Sequence, residues 1–233
     1  MNLAGRLRPQ NLKEFVGQEQ LVGKGKIIQR MIQQDQLFPM IFWGPPGSGK
    51  TTLAQIIAKE TEADFHELSG VTSGKEDLRK IITIARENQQ FKRRTILFID
   101  EIHRWNKAQQ DVLLPHVESG LLILIGATTE NPSFEVISAL LSRSRVFVLQ
   151  SLTTENLKRI IDTALTDTTR GLGEYKRKIS EVNKELLTRI SGGDARIMLN
   201  ALEMAVTSYP SASSGRVKKN EITEEMIQDI FQT

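Results

Sequence analysis

The chain has no cysteine among its 233 residues. That excludes disulfides, thiol nucleophiles and cysteine-ligated zinc, and it fits a reducing compartment. Long apolar runs are missing too. The longest, Leu121 to Ala127, falls well short of the roughly 18–20 residues that a bilayer-spanning helix needs. The first residues, Met1-Asn2-Leu3-Ala4-Gly5-Arg6, lack the apolar stretch of a signal peptide, so no membrane role is expected. Charge of one sign is nearly absent as well: the formal net charge of +3 is too small to diagnose a nucleic-acid binder. Its distribution says a little more. Residues 1–150 carry 19 Lys and Arg against 16 Asp and Glu, whereas residues 151–233 carry 12 against 12, so any attraction for phosphate belongs to the first part. What is present is ordinary. A content of 39% hydrophobic and 25% charged residues supports a normal core and a wet surface, and the length suits one domain or two.

From about residue 40, short apolar runs alternate with amphipathic stretches. Strands are predicted at Met40–Trp43, Asp64–Leu68, Thr95–Asp100, Leu122–Ala127 and Val146–Leu149. Helices are predicted between them, at about 51–59, 76–89, 107–118 and 134–141. This alternation predicts an α/β three-layer sandwich around a mostly parallel sheet. After Gln150 the strands stop, and helices are expected at 154–165, 184–191, 195–208 and 224–231, with Thr154, Asp194 and Thr223 as N-caps. Tyr209 to Gly215 reads as a loop. The expected division is an α/β domain over 1–150 and a small all-helical domain over 151–233.

Gly44-Pro45-Pro46-Gly47-Ser48-Gly49-Lys50-Thr51 matches the pattern G-x-x-x-x-G-K-[ST] at every fixed position, between a predicted strand and a predicted helix. Its glycines let successive backbone N–H groups turn toward phosphates at the positive end of a helix. Lys50 is suited to the β- and γ-phosphates of ATP and the Thr51 hydroxyl to Mg²⁺. Thr52 completes the nucleotide-contacting run. Ile96 to Ile99 form a buried strand that ends in Asp100 and Glu101. Two carboxylates at such an end call for a metal or a polar ligand. Asp100 is assigned to Mg²⁺, largely through water, and Glu101 to polarising the attacking water.

Further segments narrow the reading. Arg6-Leu7-Arg8-Pro9 with Phe15-Val16-Gly17-Gln18-Glu19 resembles the N-terminal nucleotide box of clamp-loader-type AAA+ ATPases. Gly126-Ala127-Thr128-Thr129 resembles their sensor-1 strand, Ser142-Arg143 their arginine finger, and Gly193-Asp194-Ala195-Arg196 their sensor 2 on a helical lid. Leu68 to Gly74, Asp100-Glu101-Ile102-His103-Arg104, Asn106 to Asp111 and Gly126 to Glu135 together closely resemble the family of replication-associated recombination protein A and the Werner-helicase-interacting ATPase. The resemblance implies a DNA-dependent ATPase acting at stalled or gapped replication forks. Its implied partners are single-stranded, gapped or forked DNA, single-strand-binding protein and replisome components, and its implied location is the bacterial cytoplasm, at the nucleoid. It also implies adenine contacts from Arg8, Pro9, Val16 and Gly17, a trans-acting finger at Arg143 and a γ-phosphate contact from Arg196. Thr129 is the choice for sensor 1, with Asn131 the alternative. That family continues into a tetramer-forming C-terminal domain, and this chain ends at Thr233, so a monomer or weak oligomer is expected.

Thr72-Ser73-Gly74-Lys75 lies where the second helix should begin. Free N–H groups, two hydroxyls and an ammonium there suit a DNA phosphate. His103 makes the string Asp-Glu-x-His of certain helicases, but only one nucleotide-binding lobe fits the pattern, so a hydrogen-bonded loop residue is expected. Trp105 reads as a hydrophobic anchor rather than a base-stacking platform, and Lys92-Arg93-Arg94 as a solvated turn. A GTPase is disfavoured, because Asn106-Lys107 and Asn183-Lys184 both lack the Asp of the guanine-reading signature. Two other classes compete with the hydrolase: a scaffold in which ATP only sets shape, and a protein unfoldase. The first conflicts with Glu101, Arg143 and Arg196, and the second wants an aromatic loop where Ser69 to Gly74 is small and polar.

Overall fold

Short apolar strands buried on both faces satisfy their backbone amides only by pairing with one another. In the computed structural model, which describes residues 2–208 and 220–232, they form a single five-stranded sheet in which every pairing is parallel. The strands are β1 (Met40–Trp43), β2 (Asp64–Ser69), β3 (Thr95–Asp100), β4 (Ile123–Thr128) and β5 (Arg145–Val148), in the spatial order β2-β3-β4-β1-β5. Short helices α1 (Leu3–Arg6), α2 (Glu19–Val22) and α3 (Ile27–Gln33) precede β1. Helix α4 (Lys50–Glu60) follows β1, α5 (Lys75–Gln90) follows β2, α6 (Lys107–Glu118) follows β3, and α7 (Pro132–Glu135) and α8 (Ser138–Leu141) follow β4.

Alternate strand residues leave on opposite faces, and the core divides accordingly. Met40, Phe42, Ile96, Phe98, Ile125 and Ala127 pack with Ile28, Met31, Leu53 and Ile57 from α3 and α4. Ile41, Leu97, Ile99 and Leu124 pack with Leu78, Ile82, Leu113 and Leu140 from α5, α6 and α8. Phe42 and Phe98 are fully buried, and each such side chain stabilises the fold by about 1.5–3 kcal/mol. The three-layer sandwich is therefore the predicted one. Because β1 sits between β4 and β5, the chain leaves it toward β2 and returns on its other side at β5. Such a reversal opens a crevice at the carboxyl ends of the strands, the usual place for a ligand in these sheets.

The helix expected over 134–141 is broken. Val136 and Ile137 are extended, because the buried Gln110 side chain holds the backbone there. Its Oε1 accepts from Ile137 N–H at 2.9 Å, and its Nε2 donates to the Glu135 and Trp105 carbonyls, each at 2.9 Å.

The described chain forms two compact units, Gln10–Gln150 and Met1–Pro9 together with Ser151–Thr233. The first nine residues, placed with the α/β part by the sequence, belong to the helical unit instead. Leu3 is fully buried in the helical core, its N–H donates to Glu203 at 2.9 Å, and Arg6 pairs with Glu203 at 3.0 Å. A four-residue helix has too few apolar side chains to fold on its own, so the buried Leu3, the packing of Ala4 and Leu7 and the polar contacts of Asn2, Leu3 and Arg6 decide where it goes.

The helical unit also contains α9 (Thr154–Thr166), α10 (Glu181–Ile190), α11 (Ala195–Thr207) and α12 (Glu224–Gln232). Thr153, rather than Thr154, caps α9, its hydroxyl accepting from Asn156 N–H at 3.2 Å. Asp194 caps α11 as expected, and the Thr223 hydroxyl accepts from Met226 N–H at 3.4 Å. Strands do not stop at Gln150: β6 (Lys178–Ile179) pairs with β7 (Glu221–Ile222) in a two-residue parallel ladder. Such a ladder is too short to show a strand pattern in sequence. The loop expected at Tyr209 to Gly215 lies outside the described residues.

Candidate active site

The run from Gly44 to Thr51 joins β1 to α4 in a conformation that its glycines permit. Gly44 N–H donates to the Thr128 carbonyl at 3.1 Å, and a side chain on Gly44 would meet the Leu149 carbonyl oxygen at 2.2 Å. Gly49 caps α4 in the left-handed region, with φ 96°, where only glycine sits without strain. A Cβ there would press on the Phe15 ring at 2.9 Å, so the N-terminal box backs the loop directly. Pro46 is exposed and Pro45 and Gly47 are half-buried, while Thr51 and Thr52 are half-buried in the first turn of α4.

Lys50 is buried at 7% exposure, and its ammonium donates to the Gly44 and Pro45 carbonyls at 2.7 and 2.9 Å. A cation held on loop carbonyls is placed to exchange them for phosphate oxygens, which give stronger, charge-assisted hydrogen bonds. Ser48 Oγ is buried without a hydrogen-bond partner. An orphaned hydroxyl inside a glycine-bounded cradle fits a loop shaped for a ligand rich in acceptors.

Gln18, within the N-terminal box but given no role of its own by the sequence, is held against the phosphate loop. It is left-handed at φ 59° and buried. Its Nε2 donates to the Ser48 carbonyl at 3.3 Å and the Gln150 carbonyl at 2.7 Å, and its Oε1 accepts from Gln150 N–H at 2.9 Å. One side-chain amide thus ties the phosphate loop to the chain beyond β5. Val16 and Gly17 immediately precede it, Gly17 buried with φ 83°. Arg8 and Pro9 belong to the helical unit.

Asp100 ends β3 beside Ser69, its register partner on β2. Gly70 N–H donates to the Asp100 carbonyl at 2.7 Å, and a Cβ on Gly70 would lie 2.1 Å from the Glu101 carbonyl oxygen. Glu101 is left-handed at φ 55° and ψ 48°, a conformation that costs a non-glycine residue about 1–2 kcal/mol. The turn throws the Glu101 side chain off the strand line, where His103 meets it: Nε2 lies 3.2 Å from Glu101 Oε2. His103 Nδ1 lies 3.0 Å from Thr128 Oγ1, and Thr128 is fully buried at the end of β4. The strand ends of β1, β4 and β3 are thereby linked, from Gly44 through Thr128 and His103 to Glu101.

A hard divalent cation fits this donor set. The Thr51 hydroxyl and the Asp100 carboxylate offer oxygen donors, and Mg²⁺ characteristically takes one or two such groups alongside phosphates and water. Among the described residues, no group of three or more acidic or histidine side chains forms an all-protein metal cage.

Thr129 is half-buried in the bend after β4. Asn131 spends its Oδ1 on capping α7, accepting from Ser133 N–H at 3.0 Å. Arg143 is tied to α6 rather than to the phosphate loop. Its Nη2 lies 2.5 Å from Glu118 Oε1, and its Nη1 donates to the Ala139 carbonyl at 2.9 Å. Arg145 stacks on its own unit, 4.7 Å over the Phe38 ring. Arg196 lies exposed in the first turn of α11, its N–H donating to the Asp194 cap at 2.7 Å.

Trp105 is buried at 3% in the core between the sheet and α6, so it is the anchor expected. Arg94 bridges to Asp35 at 2.6 Å and to the Thr61 carbonyl at 2.8 Å, which makes it a structural clamp at the amino end of β3. Around residue 72 the loop closes on itself: Ser73 Oγ accepts from Ser69 N–H, and Ser69 Oγ from Thr72 N–H. Thr72 and Lys75 are exposed. Asp77 already takes the Gly74 N–H at 3.1 Å, and that hydrogen bond holds its carboxyl below the usual range.

Residues 7–165 match the family of the Holliday junction DNA helicase RuvB P-loop domain, and residues 173–233 match the AAA C-terminal domain. The chain is 48% identical over 225 residues to replication-associated recombination protein A of Escherichia coli K12, covering 96% of this chain and 50% of that protein. It is 45% identical over 233 residues to ATPase WRNIP1 of Dictyostelium discoideum, covering 99% of this chain and 26% of that protein. The chain thus spans about half the length of its bacterial curated relatives. Among solved structures, the RuvB Holliday junction branch migration motor of Thermotoga maritima superposes with a TM-score of 0.74 at 29% identity, covering 97% of this chain and 72% of that one.

Proposed function

The chain belongs to the family of the Holliday junction DNA helicase RuvB P-loop domain, and from that premise we propose that it hydrolyses ATP with Mg²⁺ to remodel DNA or replisome assemblies. That it is an AAA+ P-loop ATPase of the replication-associated recombination class follows from its relatives. The observation that carries the rest is the hydrogen-bonded path from the phosphate loop to Glu101. It supports the reading by connecting the Glu101 carboxylate to the loop proposed to hold the phosphates. Thr51 and Asp100 would hold Mg²⁺, whose charge would offset that of the β- and γ-phosphates. In this reading Lys50 neutralises phosphate oxygens, Glu101 orients the attacking water, and Thr129, in the bend after β4, senses the γ-phosphate or that water.

Lys50→Ala tests the nucleotide half of this reading. A charge-assisted hydrogen bond contributes about 1.5–3 kcal/mol, so ATP affinity should fall roughly 10- to 150-fold. In calorimetry, the rise in melting temperature on adding ATP should shrink markedly at a concentration that just saturates wild type. An unchanged ATP-induced rise would remove Lys50 from the phosphate site.

The DNA partner follows from the relatives' replication and recombination class. The DNA in view is single-stranded, gapped or forked, with single-strand-binding protein and replisome components as further partners. With Asp77 occupying one N–H of the α5 start, the contact there rests on the exposed Lys75 ammonium and the Thr72 hydroxyl. These reach phosphate and not base. Lys75→Ala should weaken binding to all sequences alike and reduce the salt slope by about one unit per subunit engaged. Turnover without DNA should stay as it was while gapped-DNA stimulation drops. Stimulation retained in full would place the DNA path elsewhere on the molecule.

A further inference from the structure

His103 is buried to 7% side-chain exposure, and both ring nitrogens are engaged: Nε2 with Glu101 Oε2 at 3.2 Å and Nδ1 with Thr128 Oγ1 at 3.0 Å. We propose that His103 is the positioning residue for Glu101, and that the Thr128 hydroxyl sets the ring so that it can be. The proposal rests on the reading of Glu101 as the group that orients the attacking water.

The proton inventory gives the arrangement its direction. The Thr128 hydroxyl has one proton and three neighbours. Glu130 N–H donates to it at 3.0 Å, which leaves His103 Nδ1 at 3.0 Å or the Glu130 carbonyl at 3.2 Å to receive that proton. When the hydroxyl donates to Nδ1, a neutral imidazole must carry its own proton on Nε2, where it donates to the Glu101 carboxylate. When the hydroxyl turns to Glu130 instead, Nδ1 must hold the proton. A neutral ring then faces the carboxylate with a lone pair, and the two repel. For a neutral ring, rotation of one buried hydroxyl therefore selects the tautomer that holds Glu101 or the one that releases it.

Thr128 is also where the phosphate loop is fastened, because Gly44 N–H donates to its carbonyl at 3.1 Å. A shift of the loop on taking up phosphate would therefore be passed directly to the residue whose hydroxyl selects the imidazole tautomer. Glu101 needs such support. Its backbone is left-handed, and its carboxylate is 32% exposed, so packing alone does not fix its side-chain torsions. A bond from a buried ring to a carboxylate, backed by a second bond to a buried hydroxyl, is the arrangement by which outer residues orient a functional group.

The test separates positioning from folding and from the role of Glu101. His103→Ala should lower kcat about tenfold with the Kd for ATP unchanged. His103→Gln, whose amide can still donate to Glu101, should recover to within about threefold of wild type, whereas His103→Asn, too short to reach, should not. Thr128→Val keeps the shape and removes the hydroxyl; it should lower kcat about threefold and add nothing to His103→Ala. Should the alanine variant not fold, the glutamine and valine variants carry the same comparison. Nitrogen NMR gives a readout independent of turnover, and with three histidines in the chain the assignment is simple. Thr128→Val should move the Nδ1 resonance of His103, and Glu101→Gln the Nε2 resonance. Unchanged or increased kcat in His103→Ala would overturn the proposal, as would resonances that ignore both neighbours. Wild-type turnover in Glu101→Gln would instead sink the water-orienting role itself, with the ring's two bonds still visible in the resonances.

Discussion

Glu101→Gln is expected to lower kcat for ATP hydrolysis by about 10²- to 10³-fold, with the Kd for ATP within about threefold of wild type. The two side chains have the same shape, and the glutamine Oε1 can still accept from His103 Nε2, so the turn after β3 is kept. What the amide loses is its negative charge and its ability to take a proton from water. A well-placed general base contributes about 10²–10⁴-fold to a rate, and an effect confined to the transition state appears in kcat and leaves nucleotide binding alone. Fluorescent-nucleotide titration and phosphate-release rates on one preparation give both numbers. Turnover at the wild-type rate would move the role to another residue.

Arg143→Ala is expected to lower turnover of assembled subunits by about 10³-fold or more, the range of arginine fingers supplied in trans. Within its own subunit the Arg143 guanidinium bonds Glu118, the Ala139 carbonyl and Ser142 Oγ. Those bonds do not restrain it. The Arg143 and Glu118 side chains are 43% and 42% exposed, and such a surface pair contributes only about 0–1 kcal/mol. A finger's 10³-fold corresponds to about 4 kcal/mol in the transition state, so in the proposed assembly a neighbour's γ-phosphate would outcompete them. A mixing experiment makes the trans claim specific. Glu101→Gln subunits keep the finger and Arg143→Ala subunits keep the carboxylate. An equimolar mixture should regain about a quarter of wild-type activity, because about one interface in four pairs an intact Glu101 with an intact Arg143. No recovery on mixing would rule out a finger acting between subunits.

The sheet, its helices and the phosphate loop were legible in the chain because each is encoded locally. Met40–Trp43 and Thr95–Asp100 appear as strands in the structure with the bounds the pattern predicts. A buried parallel strand has to be apolar along its length, and the short length of these runs, with turn residues beside them, sets them apart from buried helices. The loop was equally plain, since glycine at Gly44 and Gly49 answers a steric demand that no other residue meets. Thr153 capping α9 in place of Thr154 is a one-residue difference between two equally good caps.

Other features have no local signature. The break at Val136 and Ile137 depends on Gln110, 27 residues away in sequence from the amide it holds. Placement of Leu3 in the helical core depends on Glu203, 200 residues away. Gln18 and Thr128 sat inside recognised motifs without roles of their own, and His103 read as a loop histidine, because what each does is defined by partners that the chain delivers from other elements.

The sequence by itself determined the α/β architecture, the phosphate loop and the carboxylates at the end of β3. Those follow from periodicity, steric need and the cost of burying charge, all properties of neighbouring residues. Only the tertiary structure decided that β4 lies between β1 and β3. That places the Thr128 carbonyl on Gly44 and its hydroxyl on His103, and so joins the loop to Glu101. Hydrogen bonds of about 3 Å between residues far apart in the chain exist only once strand order is fixed, and strand order is set by how the whole sheet buries its two faces.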